Sequence, residues 1–308
     1  MTLKTLIILN PTAGKGSAGR KKNEISEYCK TIGLDFDLVE TERPGHAIEL
    51  TGRAVADGYE VIVAAGGDGT SNEVINGMML TKRAGIGSAV MGVLPVGRGN
   101  DFAYSMYIPT DWKKAADLLK NPPRKPLDIG FVISEFFPEG RYFGNGVGIG
   151  FDAVVGFVAA RSKLSGIMSY LVAAIKTIYI FYTAPKVRIE LDDQILTLNT
   201  LMVSIMNGRR MGGSFQMAPE SKCDDGVFDL CVAGEVSRGK IFALIPKFMN
   251  GTQASHPAVQ FLRSRNVTVT AVEGGLPAHA DGETLCVEGK RLVVELLPGQ
   301  FDLITPGA

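Results

Sequence analysis

Glycines and an acidic residue follow an apolar segment in an arrangement that could bind an anion. The segment 61–65 is uninterrupted in its apolar character, as in a buried parallel strand, and Gly-Gly-Asp-Gly-Thr (66–70) follows it directly. A helical pattern begins next, with Ser71 or Asn72 as its predicted N-cap. Glycines let a ligand approach the backbone N–H groups at a helix N-terminus. Asp68 would repel a phosphate unless a cation such as Mg²⁺ lay between them, so the pattern predicts a polyphosphate site with a metal.

Two further loops of similar character follow apolar strands, and the elements around them must position all three. One loop is Asn10–Gly16, after a predicted strand over 3–9, and the other is Gly97–Asp101, after a predicted strand over 89–94. The first resembles a phosphate cradle without the spacing of a Walker A loop, and taken alone it fits an ordinary turn. Strands that alternate with helical stretches favour a parallel sheet covered by helices, in which ligands bind beyond the carboxyl ends of the strands. The remaining predicted elements are a strand over 36–41 and helices over 17–31, 45–56 and 112–120.

The second half of the chain shows a different pattern. Residues 121–126 (Asn-Pro-Pro-Arg-Lys-Pro) resemble a rigid linker, after which short apolar runs and alternation predict a mostly antiparallel, β-rich domain from about residue 129. One long helical segment is expected over 152–181. The predicted strands cover 186–191, 196–206, 227–233, 265–271 and 292–297.

Composition excludes several classes of protein. The 308 residues include 32 basic and 32 acidic side chains, so nucleic acid is not expected as a partner. The four cysteines show no paired spacing, which favours a reducing, cytoplasmic location. The first residues do not resemble a signal peptide. The longest apolar stretch, 166–184, contains Lys176 and falls short of a membrane span.

Seven stretches together resemble the bacterial diacylglycerol kinases and related lipid kinases, whose catalytic domain is shared with sphingosine and ceramide kinases. They are 10–16, 66–72, 94–103, 127–130, 150–153, 218–229 and 281–283, and they cover nearly the whole chain in the family's order. The resemblance implies a phosphofructokinase-like parallel α/β N-terminal domain and a β-sandwich-type C-terminal domain. It implies domains at 1–128, joined by about 300–308 from a returning last strand, and at 129–299.

The resemblance also implies which residues contact the nucleotide. Arg98 stands where the family has a small threonine, which leaves the preference between ATP and GTP open, although a guanidinium could hold a phosphate bidentately. The implied contacts are Asn10, Thr41, Gly66, Gly67, Asp68, Gly69, Thr70, Ser71, Asn72, Gly97, Arg98, Asn100 and Asp101.

A metal loop is implied at Lys222–Val227. Asp225 would supply a carboxylate, and Lys222 and Val227 would supply backbone carbonyls, while Asp128 would join the Mg²⁺ network with Asp68. Ligation by oxygen alone suits Mg²⁺ or Ca²⁺. The spacing by itself favours an ordinary Asp-Gly hairpin turn, and the resemblance reverses that preference.

Asp281-Gly282-Glu283 is the predicted catalytic segment. By resemblance Glu283 is the base that accepts a proton from the acceptor hydroxyl, with Asp281 beside it and Asp68 on the nucleotide side. Without the resemblance, a hairpin turn with two solvated acids explains the same residues.

These features predict ATP-dependent transfer of the γ-phosphate to a hydroxyl of diacylglycerol or a similar lipid. The expected partners are ATP, Mg²⁺ and a membrane-derived lipid reached by peripheral membrane contact, and a homodimer is one oligomeric state that the resemblance allows. Ile167, Leu171, Val172, Ile175, Ile178 and Phe181 fit either core packing or a surface for a lipid chain. The alternatives are a kinase of a soluble metabolite, as in NAD kinase or phosphofructokinase, and an inactive lipid- or nucleotide-binding homologue.

Overall fold

Two compact units make up the chain in the computed structural model, which describes residues 3–160, 167–180 and 183–306. Unit 1 contains residues 3–127 and 299–306, and unit 2 contains the described residues between 128 and 298.

Unit 1 is built on a parallel sheet whose strands are continuous apolar runs. Every residue of the first and third strands is buried, which explains why these segments show no polar alternation. The strand order is β2-β1-β3-β4, and Leu303 adds a further parallel partner to Met91 of the fourth strand. The strands are β1 (Thr5–Leu9), β2 (Phe36–Glu40), β3 (Val61–Gly66) and β4 (Val90–Pro95).

In the described part of unit 1, six helices accompany this sheet, and several of them differ from the prediction. The helix expected over 17–31 is two helices, and the first begins earlier, with a left-handed turn from Gly14 to Gly16. The predicted cap at Ser71 or Asn72 is wrong, because α4 begins at Asp68 after an extended Gly67. The helices are α1 (Ala13–Arg20), α2 (Lys22–Thr31), α3 (His46–Ala56), α4 (Asp68–Arg83), α5 (Asp101–Ser105) and α6 (Trp112–Asp117).

Unit 2 consists mainly of antiparallel strands. The strand that leads into it begins at Arg124, within unit 1, so the rigid linker predicted over 121–126 is wrong in its second half. The last strand, Arg291–Ile304, begins in unit 2 and ends in unit 1. The strands are β5 (Arg124–Ile133), β6 (Arg141–Phe143), β7 (Gly146–Gly150), β8 (Lys186–Glu190), β9 (Ile195–Met206), β10 (Phe228–Gly234), β11 (Val259–Ser264), β12 (Asn266–Ala271), β13 (Leu276–Ala280), β14 (Glu283–Gly289) and β15 (Arg291–Ile304).

The strands of unit 2 enclose a continuous apolar core. One run of neighbours is β14-β13-β7-β9, and β9 also pairs with β8 and β10. Further antiparallel pairs are β10–β11, β8–β12, β12–β15 and β5–β6, and β5 also pairs with β15. Val147, Val203, Phe228 and Leu292 are among the fully buried side chains of this core. The parallel sheet of unit 1 and the sandwich-type strands of unit 2 confirm the predicted fold class.

The helices of unit 2 are α7 (Phe151–Ala160), α8 (Ile167–Ile180) and α9 (Arg238–Asn250), followed by a 3-10 turn at Gln253–Ser255. The segment predicted as one helix over 152–181 therefore contains two helices, and Phe181 lies outside the described residues. The sequence patterns did not predict α9. Among the helices that the structure describes, none has the length and apolar character to cross a membrane.

Candidate active site

Three strand ends of unit 1 come together through backbone and side-chain hydrogen bonds. The Asn10 N–H donates to the carbonyl of Ala65 at 3.0 Å, and its Nδ2 donates to Oγ1 of Thr70 at 3.1 Å. The Thr41 N–H donates to the carbonyl of Leu9 at 2.9 Å. The loops after β1, β2 and β3 therefore lie at one edge of the sheet, as parallel strands require.

Gly67 and Gly97 bring the loop after β4 against the loop after β3. A Cβ on Gly97 would lie 2.9 Å from the Gly67 nitrogen and would collide with the Gly67 Cα, so only glycine fits there. The Val96 N–H also donates to the carbonyl of Gly66 at 3.0 Å. Asn100, with φ of +51°, has a left-handed backbone and turns the chain into α5. The two loops therefore pack backbone against backbone, and Oδ1 of Asn100 lies 2.7 Å from where a Cβ on Gly97 would be.

Two carboxylates lie beside Gly99, in the loop after β4. The position of a Cβ on Gly99 would be 2.9 Å from Oδ2 of Asp68 and 3.4 Å from Oδ2 of Asp101. The other Asp68 oxygen accepts the Phe102 N–H at 2.9 Å, which fixes the side chain at the start of α4. Arg98 is exposed on the same loop. Carboxylates beside a helix N-terminus could hold a divalent cation together with an anionic group.

The predicted nucleotide contacts on the first turns of α4 differ in accessibility. Thr70, Ser71 and Asn72 are buried, and Oδ1 of Asn72 accepts a hydrogen bond from Nδ2 of Asn76 at 3.1 Å. The hydrogen bond that Oγ1 of Thr70 accepts from Asn10 places Thr70 beside the loop after β1. These contacts make Ser71 and Asn72 part of the packed helix.

In unit 2, Asp281 holds a backbone turn through three hydrogen bonds. Its Oδ2 accepts the Gly144 N–H at 2.8 Å, and its Oδ1 accepts the N–H groups of Asn145 and Gly146, both at 3.0 Å. The side chain is buried and its backbone has a φ of +49°. Asp281 thus fixes the β13–β14 turn to the start of β7.

Glu283 is the first residue of β14, two positions after Asp281, and it is partly exposed. It pairs with Ala280 across the tight turn that contains Gly282. The two acids of the predicted catalytic segment therefore lie in different surroundings, and Glu283 has the accessibility that a proton acceptor needs.

The segment 222–227 forms a turn that Asp128 holds from the protein interior. The Asp128 N–H donates to the carbonyl of Cys223 at 2.8 Å, and Oδ2 of Asp128 accepts the Gly226 N–H at 2.8 Å. The carboxylate of Asp225 forms an ion pair with Arg263. Asp128 therefore shapes the loop rather than presenting a ligand with this oxygen.

The donor set around this loop fits a hard divalent cation. Asp225 and Asp229 supply carboxylate oxygens, and Oδ2 of Asp229 is a buried atom without a hydrogen-bond partner in the described part of the chain. Burial raises the pKa of Asp229, and the neighbouring charge of Asp225 adds to this effect. With loop carbonyls from Lys222 and Val227, these oxygens could hold Mg²⁺ or Ca²⁺.

Two asparagines that the sequence reasoning did not single out link these segments. Nδ2 of Asn207 donates to the carbonyls of Asp128 at 2.9 Å and Gly144 at 2.8 Å. The carbonyl of Asn145 accepts the Asn207 N–H at 2.9 Å. Each asparagine precedes a glycine, and this Asn-Gly pattern is the local signal that marks a turn.

A second group missed from sequence lies between α7 and the sheet. Oδ2 of Asp152 accepts the Ser204 hydroxyl at 3.1 Å, and both this oxygen and Nε2 of His279 lie within 2.6 Å of where a Cβ on Gly148 would be. Burial raises the pKa of Asp152 to about 7 and lowers the pKa of His279 to about 4. The absent side chain of Gly148 thus leaves space for two polar groups inside unit 2.

Family comparisons divide the chain in a similar way. Residues 4–132 match the diacylglycerol kinase catalytic domain, and residues 145–305 match the YegS C-terminal NAD kinase beta sandwich-like domain. A crystal structure of a candidate diacylglycerol kinase from Bacillus anthracis is 25% identical with a TM-score of 0.77, and the match covers 98% of this chain and 96% of that chain. A yeast NADH kinase, 10% identical with a TM-score of 0.52 over 98% of this chain and 83% of its own, shares the fold.

Two curated relatives that are similar to this chain are both named diacylglycerol kinase. A diacylglycerol kinase from Staphylococcus saprophyticus is 29% identical over 303 residues, which are 98% of this chain and 92% of the relative. A diacylglycerol kinase from Staphylococcus carnosus is 30% identical over 286 residues, which are 92% of this chain and 89% of the relative. The chain is therefore a phosphotransferase with an alcohol acceptor and belongs to the bacterial diacylglycerol kinase family.

Proposed function

We propose that the protein is an ATP-dependent lipid kinase that transfers the γ-phosphate of ATP to a hydroxyl of diacylglycerol or a similar lipid. The kinase family implies ATP and a divalent metal in general. The names of the relatives and the matched catalytic domain support a lipid acceptor.

The observation that carries the proposal is the close packing of the two glycine loops of unit 1, with two carboxylates beside them. Gly67 and Gly97 hold the loops after β3 and β4 together, and Asp68 and Asp101 lie beside Gly99. In the proposal, these carboxylates hold the cation side of a metal–ATP complex while N–H groups of the loops face its phosphates. A bound divalent cation would offset the negative charge that develops during phosphoryl transfer.

Glu283 is the proposed base. It is partly exposed, and the turn that carries it is fixed by the three hydrogen bonds to Asp281. A carboxylate in a rigid turn can accept the proton of the acceptor hydroxyl without first being reoriented.

The first test compares Glu283→Gln with Glu288→Gln, an exposed acid on the same strand. Radiolabelled ATP is offered with diacylglycerol micelles, with other lipid alcohols and with NAD. We expect label in lipid, with kcat lowered roughly 10²–10⁴-fold in Glu283→Gln and unchanged in Glu288→Gln. Near wild-type turnover of Glu283→Gln would refute the base, and label in NAD alone would refute the lipid acceptor.

The nucleotide role is tested by calorimetry. Asp68→Asn removes the charge beside Gly99 while Asp35→Asn, an exposed site in unit 1, serves as the control. We expect the affinity for Mg-ATP to fall more than tenfold in Asp68→Asn only. Equal affinities in the two variants would contradict the assignment of Asp68.

Peripheral contact with an anionic bilayer is part of the proposal, at the exposed side of α8 and α9. Ile175, Tyr179, Ile180 and Phe242 are exposed, and the rings of Tyr179 and Phe242 are 6.0 Å apart. The two helices also carry Lys176, Arg238, Lys240 and Lys247, and neither contains an acidic residue. Apolar side chains among cations fit the headgroup region of an anionic membrane. Of the helical residues predicted for core packing or a lipid surface, Ile178 is buried and Ile175 is exposed.

Vesicle sedimentation tests this surface with a matched pair of phenylalanines. Phe242 on α9 is 37% exposed and Phe261 on β11 is 39% exposed, so their replacement by serine removes similar accessible surface. We expect Phe242→Ser to weaken binding to phosphatidylglycerol vesicles several-fold and Phe261→Ser to leave it unchanged. Equal binding of both variants, or binding that does not weaken with salt, would refute the contact.

A further inference from the structure

Arg263 lies where its guanidinium meets both carboxylates of the 222–227 loop. It is directly opposite Asp229 in the β10–β11 register. Its Nε donates to Oδ1 of Asp229 at 3.2 Å, and its NH2 group forms a hydrogen-bonded ion pair with Asp225. The guanidinium of Arg263 thus contacts both acidic side chains.

Hydrogen bonds from Asp128 fix the shape of the 222–227 loop that carries Asp225. Asp128 accepts the Gly226 N–H and donates its own N–H to Cys223, both at 2.8 Å. Gly226 has a φ of +80°, which suits glycine. Within this loop, the carboxylate of Asp225 contacts Arg263.

The guanidinium of Arg263 contacts one oxygen of each carboxylate, Oδ2 of Asp225 and Oδ1 of Asp229. Arginine stays charged at all relevant pH values, and it engages a carboxylate with directional donors. A divalent cation bound by the same carboxylates would lie close to the guanidinium, and the two positive charges would repel each other. The orphaned Oδ2 of Asp229 shows that the guanidinium leaves part of the donor set unused.

We propose that Arg263 is an internal competitor for the divalent-cation loop, which is closed on the guanidinium until the cation concentration is high enough to displace it. Removing the guanidinium should therefore make the loop bind cations more tightly. The inference rests on the cation role given to 222–227 within the proposed function.

The experiment is a calorimetric titration of the nucleotide-free full chain with Mg²⁺ and with Ca²⁺. We expect Arg263→Gln to bind roughly tenfold tighter or more than wild type, because a like charge has been removed. Arg263→Lys, which keeps the charge, should stay within about threefold of wild type. The control is Arg188→Gln, which breaks an exposed ion pair with Glu190 elsewhere in unit 2 and should change nothing.

A thermal-stability measurement guards against a variant that merely folds poorly. Arg263→Gln should melt lower than wild type in chelator, and added cation should restore its midpoint, since binding to the folded chain stabilises it. Adding Asp225→Asn to Arg263→Gln should abolish both effects. Equal cation affinity in wild type and Arg263→Gln, or no binding by either, would overturn the proposal. Tightening in a chain that fails to phosphorylate lipid would support Arg263 as competitor and refute the proposed function.

Discussion

Replacing Asp281 tests whether this acid is a structural support for the segment that carries Glu283. Its carboxylate accepts the N–H groups of Gly144, Asn145 and Gly146 at 2.8, 3.0 and 3.0 Å in a buried position. Alanine would leave all three donors without an acceptor. Asparagine would keep one side-chain oxygen, which can accept two of these N–H groups. Its NH2 group would face the third N–H, so that two donors would oppose each other.

These contacts set the expected loss of stability. A buried donor left without a partner costs ~1–3 kcal/mol, so Asp281→Ala should lower the free energy of unfolding by about 3–9 kcal/mol. Asp281→Asn loses the charge and sets one donor against another, for which we expect about 2–4 kcal/mol. The order Ala worse than Asn is the sharper part of the prediction, because it depends on the number of donors satisfied.

Urea denaturation followed by circular dichroism measures both variants, with Asp193→Asn, an exposed acid of unit 2, as the control expected within about 0.5 kcal/mol of wild type. Where Asp281→Asn still folds, kcat should fall roughly 10–100-fold because Glu283 is displaced, while the KM for ATP stays unchanged. A loss below about 1 kcal/mol in Asp281→Ala would refute the structural role, and an altered KM for ATP would contradict the separation of roles.

Two further predictions concern burial and close packing. Asp152 has a pKa of about 7 against 3.8 for the free side chain, so the native state binds the extra proton and stability falls as pH rises from about 4 to 7. His279 has a pKa of about 4 against 6.5, so the unfolded state binds the extra proton and stability rises over about pH 4 to 6.5. Urea titrations at several pH values measure the free energy of unfolding of each variant. As the pH is raised from about 4 to 7, this free energy should rise on the order of 3 kcal/mol in Asp152→Asn and fall by a similar amount in His279→Gln. Identical pH profiles of the two variants would contradict this. Gly97→Ala should weaken Mg-ATP binding at least tenfold by calorimetry because its Cβ would strike Gly67, whereas Gly52→Ala, with ordinary spacing around it, should bind as wild type does.

The α/β unit was largely predictable because its signals are local. Buried parallel strands produce unbroken apolar runs, and each of the four runs in unit 1 became a strand within a residue or two of its predicted bounds. The error at the start of α4 has a physical reason. Asp68 can itself occupy the first helical turn, where its charge suits the helix dipole, so no Ser or Asn cap is needed.

The β-rich unit was harder to predict because several of its strands lack a clear β signal. β7 is Gly-Val-Gly-Ile-Gly, and glycine disfavours strands unless the surroundings require it. Here they do, because Asp152 and His279 occupy the space above Gly148. The contacts of Asp281 with residues 144–146 join positions more than 130 apart in sequence, which no local pattern contains.

The acids of the predicted sites show what residue type alone leaves undetermined. By residue type and local sequence alone, Asp128, Asp281 and Glu283 look alike, since each is a carboxylate within two residues of a glycine. In the structure, Asp128 and Asp281 use their oxygens on backbone N–H groups, while Glu283 is partly exposed at the start of a strand. A carboxylate that satisfies buried donors stabilises the turn it holds, and its loss should first appear in folding. An accessible carboxylate contributes little to folding, so its loss should appear in turnover, and the contrast between Asp281 and Glu283 variants separates these two roles within three residues.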